Sequence, residues 1–145
     1  MKITTDFDFL RKVSKPVTDF DARLHQLLDD MRETMFDSSG IGIAAPQVGV
    51  LWRACIMLTL DGEILELVNP EIITQKRPKR GDEACLSIPE RNVSVIRPQF
   101  TRIRAMDRFG NTFERDFKKV ESICACHEID HLNGVLITDI GEPIQ

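Results

Sequence analysis

The stretch "CHEIDHLNGVL" runs from Cys126 to Leu136, and its reading decides the fold. His127 and His131 stand four residues apart, with Glu128 beside the first. On a helix, residues i and i+4 are neighbours on one face, so both imidazoles would aim at one point. The periodicity predicts a helix from about Lys118 to Asn133. Val120, Ile123, Cys124, His127 and His131 fall on one side of it, and Gly134 serves as its C-cap. Glu128 lies about 100° round from His127, close enough to reach a water at a bound ion without being a ligand. The competing reading is two partly buried histidines bonded to backbone or carboxylates. The chain has only three histidines, and two of them sit in this pentad, which favours a metal.

A working metal needs a third protein ligand and an open position. One common pattern places a third histidine six residues after the second, but position 137 is Ile. Another takes a glutamate from a later helix, but only Glu142 follows. Asp139 falls in what reads as a loose tail, and His25 among surface-like helical positions. Cys124 shares the histidine face, yet three consecutive turns of one helix cannot easily enclose an ion, so it reads as pocket wall. Cys55 reads as strand core, and Cys126 points away from the histidines. Cys85 remains, in the polar segment "EACLSIP", where a thiolate could face a cleft. A Cys/His/His set suits Fe²⁺ or Zn²⁺.

Working outward, Leu24, Leu27, Leu28, Met31 and Met35 form one apolar stripe, predicting a helix over 18–37 opened by the capping side chains of "TDFD" and closed by "SSG". "GIGIAAPQVGV", 40–50, reads as a glycine-rich connection, and no Gly-Lys-Ser/Thr follows to make it a phosphate loop. Strands are expected at 52–58, 64–68, 92–96 and 100–106. "DRFGN" is a turn, and 112–117 returns as the second arm of a hairpin. "KRPKR", 76–80, reads as a solvated loop. An early helix, central strands and a late helix give an α+β chain.

With 145 residues, a single domain spanning 1–145 is expected. Such a chain can bury a core without a metal or disulfides, so a metal here would be a working one. Composition is ordinary, 42% hydrophobic and 29% charged, and the net charge is −4 from 19 basic and 23 acidic side chains. No basic excess draws phosphates, so direct nucleic-acid binding is not expected. No apolar h-region opens the chain and no run approaches the ~20 residues that span a membrane. The four cysteines, 55, 85, 124 and 126, are expected as reduced thiols in a cytoplasmic protein.

Three segments, taken in order, resemble the peptide deformylase family. "GIGIAAPQ" is similar to its motif G-x-G-x-A-A-x-Q, "EACLS" to E-G-C-L-S, and "HEIDH" to H-E-x-D-H. The resemblance covers nearly the whole chain, including "LRKVSKPV" and "NP" at 69–70. It implies an α+β fold with mixed, mostly antiparallel sheets around the motif-bearing helix and one N-terminal helix. It implies Cys85, His127 and His131 as ligands of Fe²⁺, with Zn²⁺ or Ni²⁺ as substitutes. It further implies Glu128 as acid/base, and the Gln47 amide and Leu86 backbone N–H as oxyanion donors. The substrate would be the N-formyl-methionine end of a nascent polypeptide, and formate a product. Methionine would enter a pocket of Ile41, Val120, Ile123 and Cys124, with Gly40, Gly42 and Ala84 along the peptide.

This chain departs from the pattern at Ala84, where the family has Gly and the extra methyl would either narrow the cleft or strain a backbone needing positive φ. It departs again at Cys126, where Gln is frequent and a supporting bond would be lost. It also stops short of the long C-terminal helix of bacterial forms, a short shape similar to phage-encoded enzymes. Ribosome docking is therefore open, and a monomer is expected. Two other readings use the same residues: a zinc peptidase for which Cys85 is dispensable, and a non-catalytic relative that binds chain termini.

Overall fold

A computed structural model of the chain describes residues 1–144, with the backbone alone at Glu90. The elements run α1 (Phe7–Leu10), α2 (Ala22–Asp37), β1 (Gly42–Ala44), a 3₁₀ turn (Ala45–Val48), β2 (Ala54–Leu58), β3 (Ile64–Cys85) and β4 (Ile88–Met106), then β5 (Thr112–Lys118), α3 (Val120–Leu132), α4 (Ile137–Ile140) and β6 (Glu142–Pro143). The strands form one antiparallel sheet in the order β1-β2-β3-β4-β5, with β6 beside β4. The expected mixed sheets thus resolve into one antiparallel sheet plus an isolated parallel bridge between Lys15 and Trp52. That bridge takes Trp52 out of the strand expected from 52, which begins at Ala54.

Strand alternation builds two cores from the same strands. Ile43, Ala54, Ile56 and Val68 face α2 and its stripe of Leu24, Leu27, Leu28, Met31 and Met35. Ala44, Cys55, Met57 and Leu67 face the opposite way, onto Cys124, Ala125, Ile129 and Leu132 of α3. Each large apolar side chain buried this way contributes roughly 1.5–3 kcal/mol. The sheet therefore clamps α3 from below, and α3 carries both histidines.

Helix ends follow their capping residues. α2 starts at Ala22 rather than Thr18 because the Asp21 carboxylate accepts from the N–H groups of Arg23 and Leu24. α3 stops at Leu132 with Gly134 just beyond at φ +73. A Cβ there would lie 2.3 Å from the Arg11 carbonyl oxygen, so conformation and packing both require glycine.

The segments read as separate strands at 64–68 and 92–96 belong to two long strands, β3 and β4. "KRPKR" is not a loop: its residues pair in register with β4, Lys76 opposite Phe100 and Arg80 opposite Ile96. Pro78 lies opposite Pro98, so the missing N–H groups fall at one rung of the ladder. "EACLSIP" forms the hairpin tip, with Leu86 and Ser87 between Cys85 and Ile88 and a register shift at Ala84/Cys85. That tip is anchored beside the end of α3, because Cys85, Ile88, Val93 and Val95 pack with Leu10 of α1 and with Leu136 and Ile137 just past α3.

Candidate metal centre

The hairpin tip delivers Cys85 to the histidine face of α3. Its Sγ lies 3.3 Å from His131 Nε2. Ligand atoms of Cys85, His127 and His131 all lie within 4.8 Å of one another. Cys85 and His131 are buried, and His127 is partly so. Cys124 lies in the cleft wall outside this ligand group, Cys55 is buried in the sheet core, and Cys126 Sγ is 3.4 Å from Thr101 Oγ1, facing the sheet. His25 Nε2 is 2.9 Å from the Arg108 carbonyl oxygen, remote from the centre, and Asp139 pairs with Arg11.

The two imidazoles differ in what holds them. His127 Nδ1 is 3.0 Å from Glu83 Oε1, which turns Nε2 towards the centre. Glu83 is itself held by Arg97, whose Nε and Nη2 donate to the two carboxylate oxygens at 2.9 and 3.1 Å. Arg97 Nη1 also bonds Asp130 on α3. Burial opposes charge on His127, but bonds to Cys85 and Glu83 and the charge of Glu128 outweigh it and raise its pKa to about 10. The proton held there is the one a cation would displace. Burial, then the charges of His127 and Arg97, lowers the pKa of His131 to about 3, so that ring is a neutral donor. Its Nδ1 is buried with no partner among the described residues.

Glu128 is buried, and its Oε1 has no hydrogen-bond partner among the described residues. Burial is the main cause that raises its pKa to about 7, the range of a proton carrier at neutral pH. Opposite it, Gly42 leaves the space it needs: a Cβ on residue 42 would stand 2.5 Å from Glu128 Oε2 and 2.9 Å from Cys124 Sγ. Gln47 is buried, its Oε1 accepting from the Ala44 N–H at 3.0 Å. That bond orients Nε2 towards Ser87 Oγ at 3.1 Å, with Cys85 Sγ at 3.8 Å.

These groups line a cleft of about 460 Å³ walled by Gly40, Ile41, Gly42, Ala84, Leu86, Val120, Ile123 and Cys124. Every residue proposed from sequence is thus brought to the cleft or, for His131, just beneath it. Ile41 and Val120 are each 52% exposed, so they form its rim rather than its floor. Ala84 is exposed and is not among the residues with positive φ; its methyl carries none of the strain expected of it. The sequence reading passed over Ser87 and over the chain Glu83–Arg97–Asp130. A signal was present: in β4, Val93, Val95 and Arg97 share one face, and an arginine on a buried face requires a buried carboxylate.

The donor set fits a cation: a soft thiolate, two imidazoles of which His127 is turned by Glu83, and orphaned buried atoms on His131 and Glu128. With the α+β frame and the buried Glu128 beside it, this defines the class as a protein with a Cys/His/His metal centre at the foot of a cleft. The family model for polypeptide deformylase matches residues 2–145. The chain is 49% identical over 136 residues to the peptide deformylase of Caldicellulosiruptor bescii, covering 94% of this chain and 81% of that one. It is 43% identical to that of Alkaliphilus metalliredigens, covering 94% and 92%. The crystal structure of a peptide deformylase from Legionella pneumophila superposes with a TM-score of 0.91 at 39% identity, over 97% of this chain and 84% of that one. That from Thermotoga maritima gives 0.90 at 35%, over 97% and 95%. The chain belongs to the polypeptide deformylase family.

Proposed function

We propose that the chain removes the N-formyl group from the terminal formyl-methionine of new polypeptides, and that Cys85, His127 and His131 hold the metal it requires. The observation that carries this reading is the convergence of three ligand atoms within 4.8 Å beside a buried, unpartnered Glu128 oxygen. The mixed thiolate–imidazole set supports Fe²⁺ as the ion, with Zn²⁺ or Ni²⁺ as substitutes. A divalent ion held there supplies Lewis acidity, polarising the formyl oxygen and acidifying water.

The rest is done by the chain's own groups. Glu128 takes a proton from the attacking water and returns it to the departing amine; water is consumed, the C–N bond breaks, and formate and a free N-terminus result. Gln47 Nε2 and the Leu86 backbone N–H donate to the oxygen that gains charge; losing one such donor costs about 3 kcal/mol of barrier. Gln47 keeps its donors at any working pH. Ile41, Val120, Ile123 and Cys124 receive the methionine side chain, and Gly40, Gly42 and Ala84 border the peptide. Residues 1–145 act as one domain and a monomer. The buried free cysteines support a reducing compartment such as the cytoplasm. No helix of the described residues is long and apolar enough to cross a membrane.

The test is formate release from formyl-Met-Ala-Ser with Fe²⁺ under anaerobic conditions. Glu128→Ala keeps its metal and loses turnover; Cys85→Ala loses its metal. Absence of turnover with the metal fully bound would end the proposal, and casein cleavage by Cys85→Ala would favour a peptidase.

A further inference from the structure

Of the eight glycines, four stand at positive φ, and at Gly40, Gly42 and Gly141 a Cβ would meet another atom at 2.8, 2.5 and 2.1 Å. Gly81 alone is required by neither constraint. It is not at positive φ, and a Cβ there would have no neighbour within 4 Å. It lies inside β3, and the β3–β4 ladder runs without a shift from Pro78 to Ala84, so no bulge accounts for it. A glycine in such a place weakens the strand and marks a site where a ligand can approach the backbone.

The strand register shows what the missing side chain would face. Lys79, Gly81 and Glu83 pair with Arg97, Val95 and Val93, all three buried. Directly paired residues share a face, and this face meets α3, where Glu83 bonds His127 at 3.0 Å and Arg97 bonds Asp130. Two residues along a strand advance about 6.6 Å and four along a helix about 6 Å. Gly81 therefore stands level with Ile123, four residues before His127. Beside them is a hollow of about 190 Å³, lined by Lys79, Gly81, Val95, Arg97, Gln99 and Ile123. Asp82, Glu83 and Ile123 line both this hollow and the cleft, so the two spaces adjoin at Ile123. The two buried charges, Glu83 and Arg97, are paired with each other at 2.9 Å, which leaves neither to select an ion.

We propose that the methionine pocket continues past Ile123 into this hollow, with Gly81 setting its depth, so that the cleft deformylates peptides whose first side chain is unbranched, uncharged and longer than methionine's; this rests on reading the cleft as the formyl-methionine site. Ile123, Val95 and the methylene stems of Lys79 and Gln99 give an alkyl chain its contacts. The bare backbone at Gly81 leaves room for the added carbons, and the chain end reaches water beside the exposed Lys79. The chemistry is unchanged: water is consumed, the C–N bond breaks and formate leaves.

The experiment compares kcat/KM for formate release from formyl-Met-Ala-Ser and from the same peptide beginning with 2-aminooctanoic acid, whose straight alkyl side chain outreaches methionine's. The wild type takes both within about threefold. Gly81→Leu lowers the value for the longer substrate at least about tenfold more than for formyl-Met-Ala-Ser, the discrimination that one blocked methylene brings. Gly81→Val shifts the ratio in the same direction and carries the test where the melting temperature shows that Gly81→Leu does not fold. Gly81→Ala, whose methyl meets no atom within 4 Å, keeps the wild-type ratio. A wild type that disfavours the longer substrate more than about tenfold, or a ratio unchanged in the folded Leu or Val variant, as a purely structural role for Gly81 gives, overturns the proposal and leaves the catalytic reading intact. No formate from formyl-Met-Ala-Ser with the metal bound overturns both.

Discussion

Gly42→Ala is the substitution that bears most closely on the acid/base role of Glu128. The added Cβ would lie 2.5 Å from Glu128 Oε2 and 2.9 Å from Cys124 Sγ. Ordinary contact begins near 3.4 Å, so the carboxylate must retreat by about 0.9 Å. Its site is fully buried, with α3 behind it, and offers no easy alternative position. A displacement of about 1 Å in a catalytic group costs roughly 100-fold in rate, equivalent to about 2.7 kcal/mol of barrier. The methyl also overpacks the region, lowering stability by about 1–3 kcal/mol. Cys85, His127 and His131 are untouched, so metal content stays at wild type. The internal control is Gly40→Ala: its Cβ meets only Leu86 Cδ1 at 2.8 Å, the free end of a flexible side chain, and activity falls a few-fold at most. The assay is kcat/KM for formate release, with metal content by elemental analysis on the same samples. Gly42→Ala at wild-type kcat/KM, or an equal loss in Gly40→Ala, would refute the reasoning.

Two further predictions concern the groups around the centre. Arg97→Leu strands the carboxylates of Glu83 and Asp130, which the arginine holds at 8% and 26% side-chain exposure; urea unfolding is expected to show a loss of about 3–5 kcal/mol, and a loss below 1 kcal/mol would contradict it. In the metal-free protein, the folded pKa of Glu128, about 7, exceeds its ordinary value of 4.5. Between those pH values the folded chain holds a proton that the unfolded chain releases, so stability falls as pH rises through this window, by an amount on the order of 3 kcal/mol. Glu128→Gln lacks that fall, and parallel stability curves for the two proteins from pH 4.5 to 7 would contradict the assignment.

α2, α3 and the pairing of the two histidines were legible because their signals are local, whereas the single-turn helices α1 and α4 are too short to show a period. The α2 stripe repeats every three to four residues, and the two histidines need only one turn of helix to meet. The glycine after α3 announced its end. The long β3–β4 hairpin was not legible for the opposite reason. Its lower half is exposed on both faces around Lys76–Arg80, so no alternation of apolar residues marks it. Pro78 and Pro98 read as breakers, and only their pairing across the ladder makes them compatible with strands. Arg97 hid for a related reason: its partners Glu83 and Asp130 lie 14 and 33 residues away, a separation that no periodicity reports.

The proposed metal centre depends on a sulfur far away in sequence completing what two turns of one helix begin. The most direct measurement is the optical spectrum and stoichiometry of the Co²⁺-loaded protein, wild type against Cys85→Ser. One ion per chain with a thiolate-to-cobalt charge-transfer band in the near ultraviolet, lost in Cys85→Ser, is the predicted result. Full cobalt occupancy with the same spectrum in Cys85→Ser would contradict it.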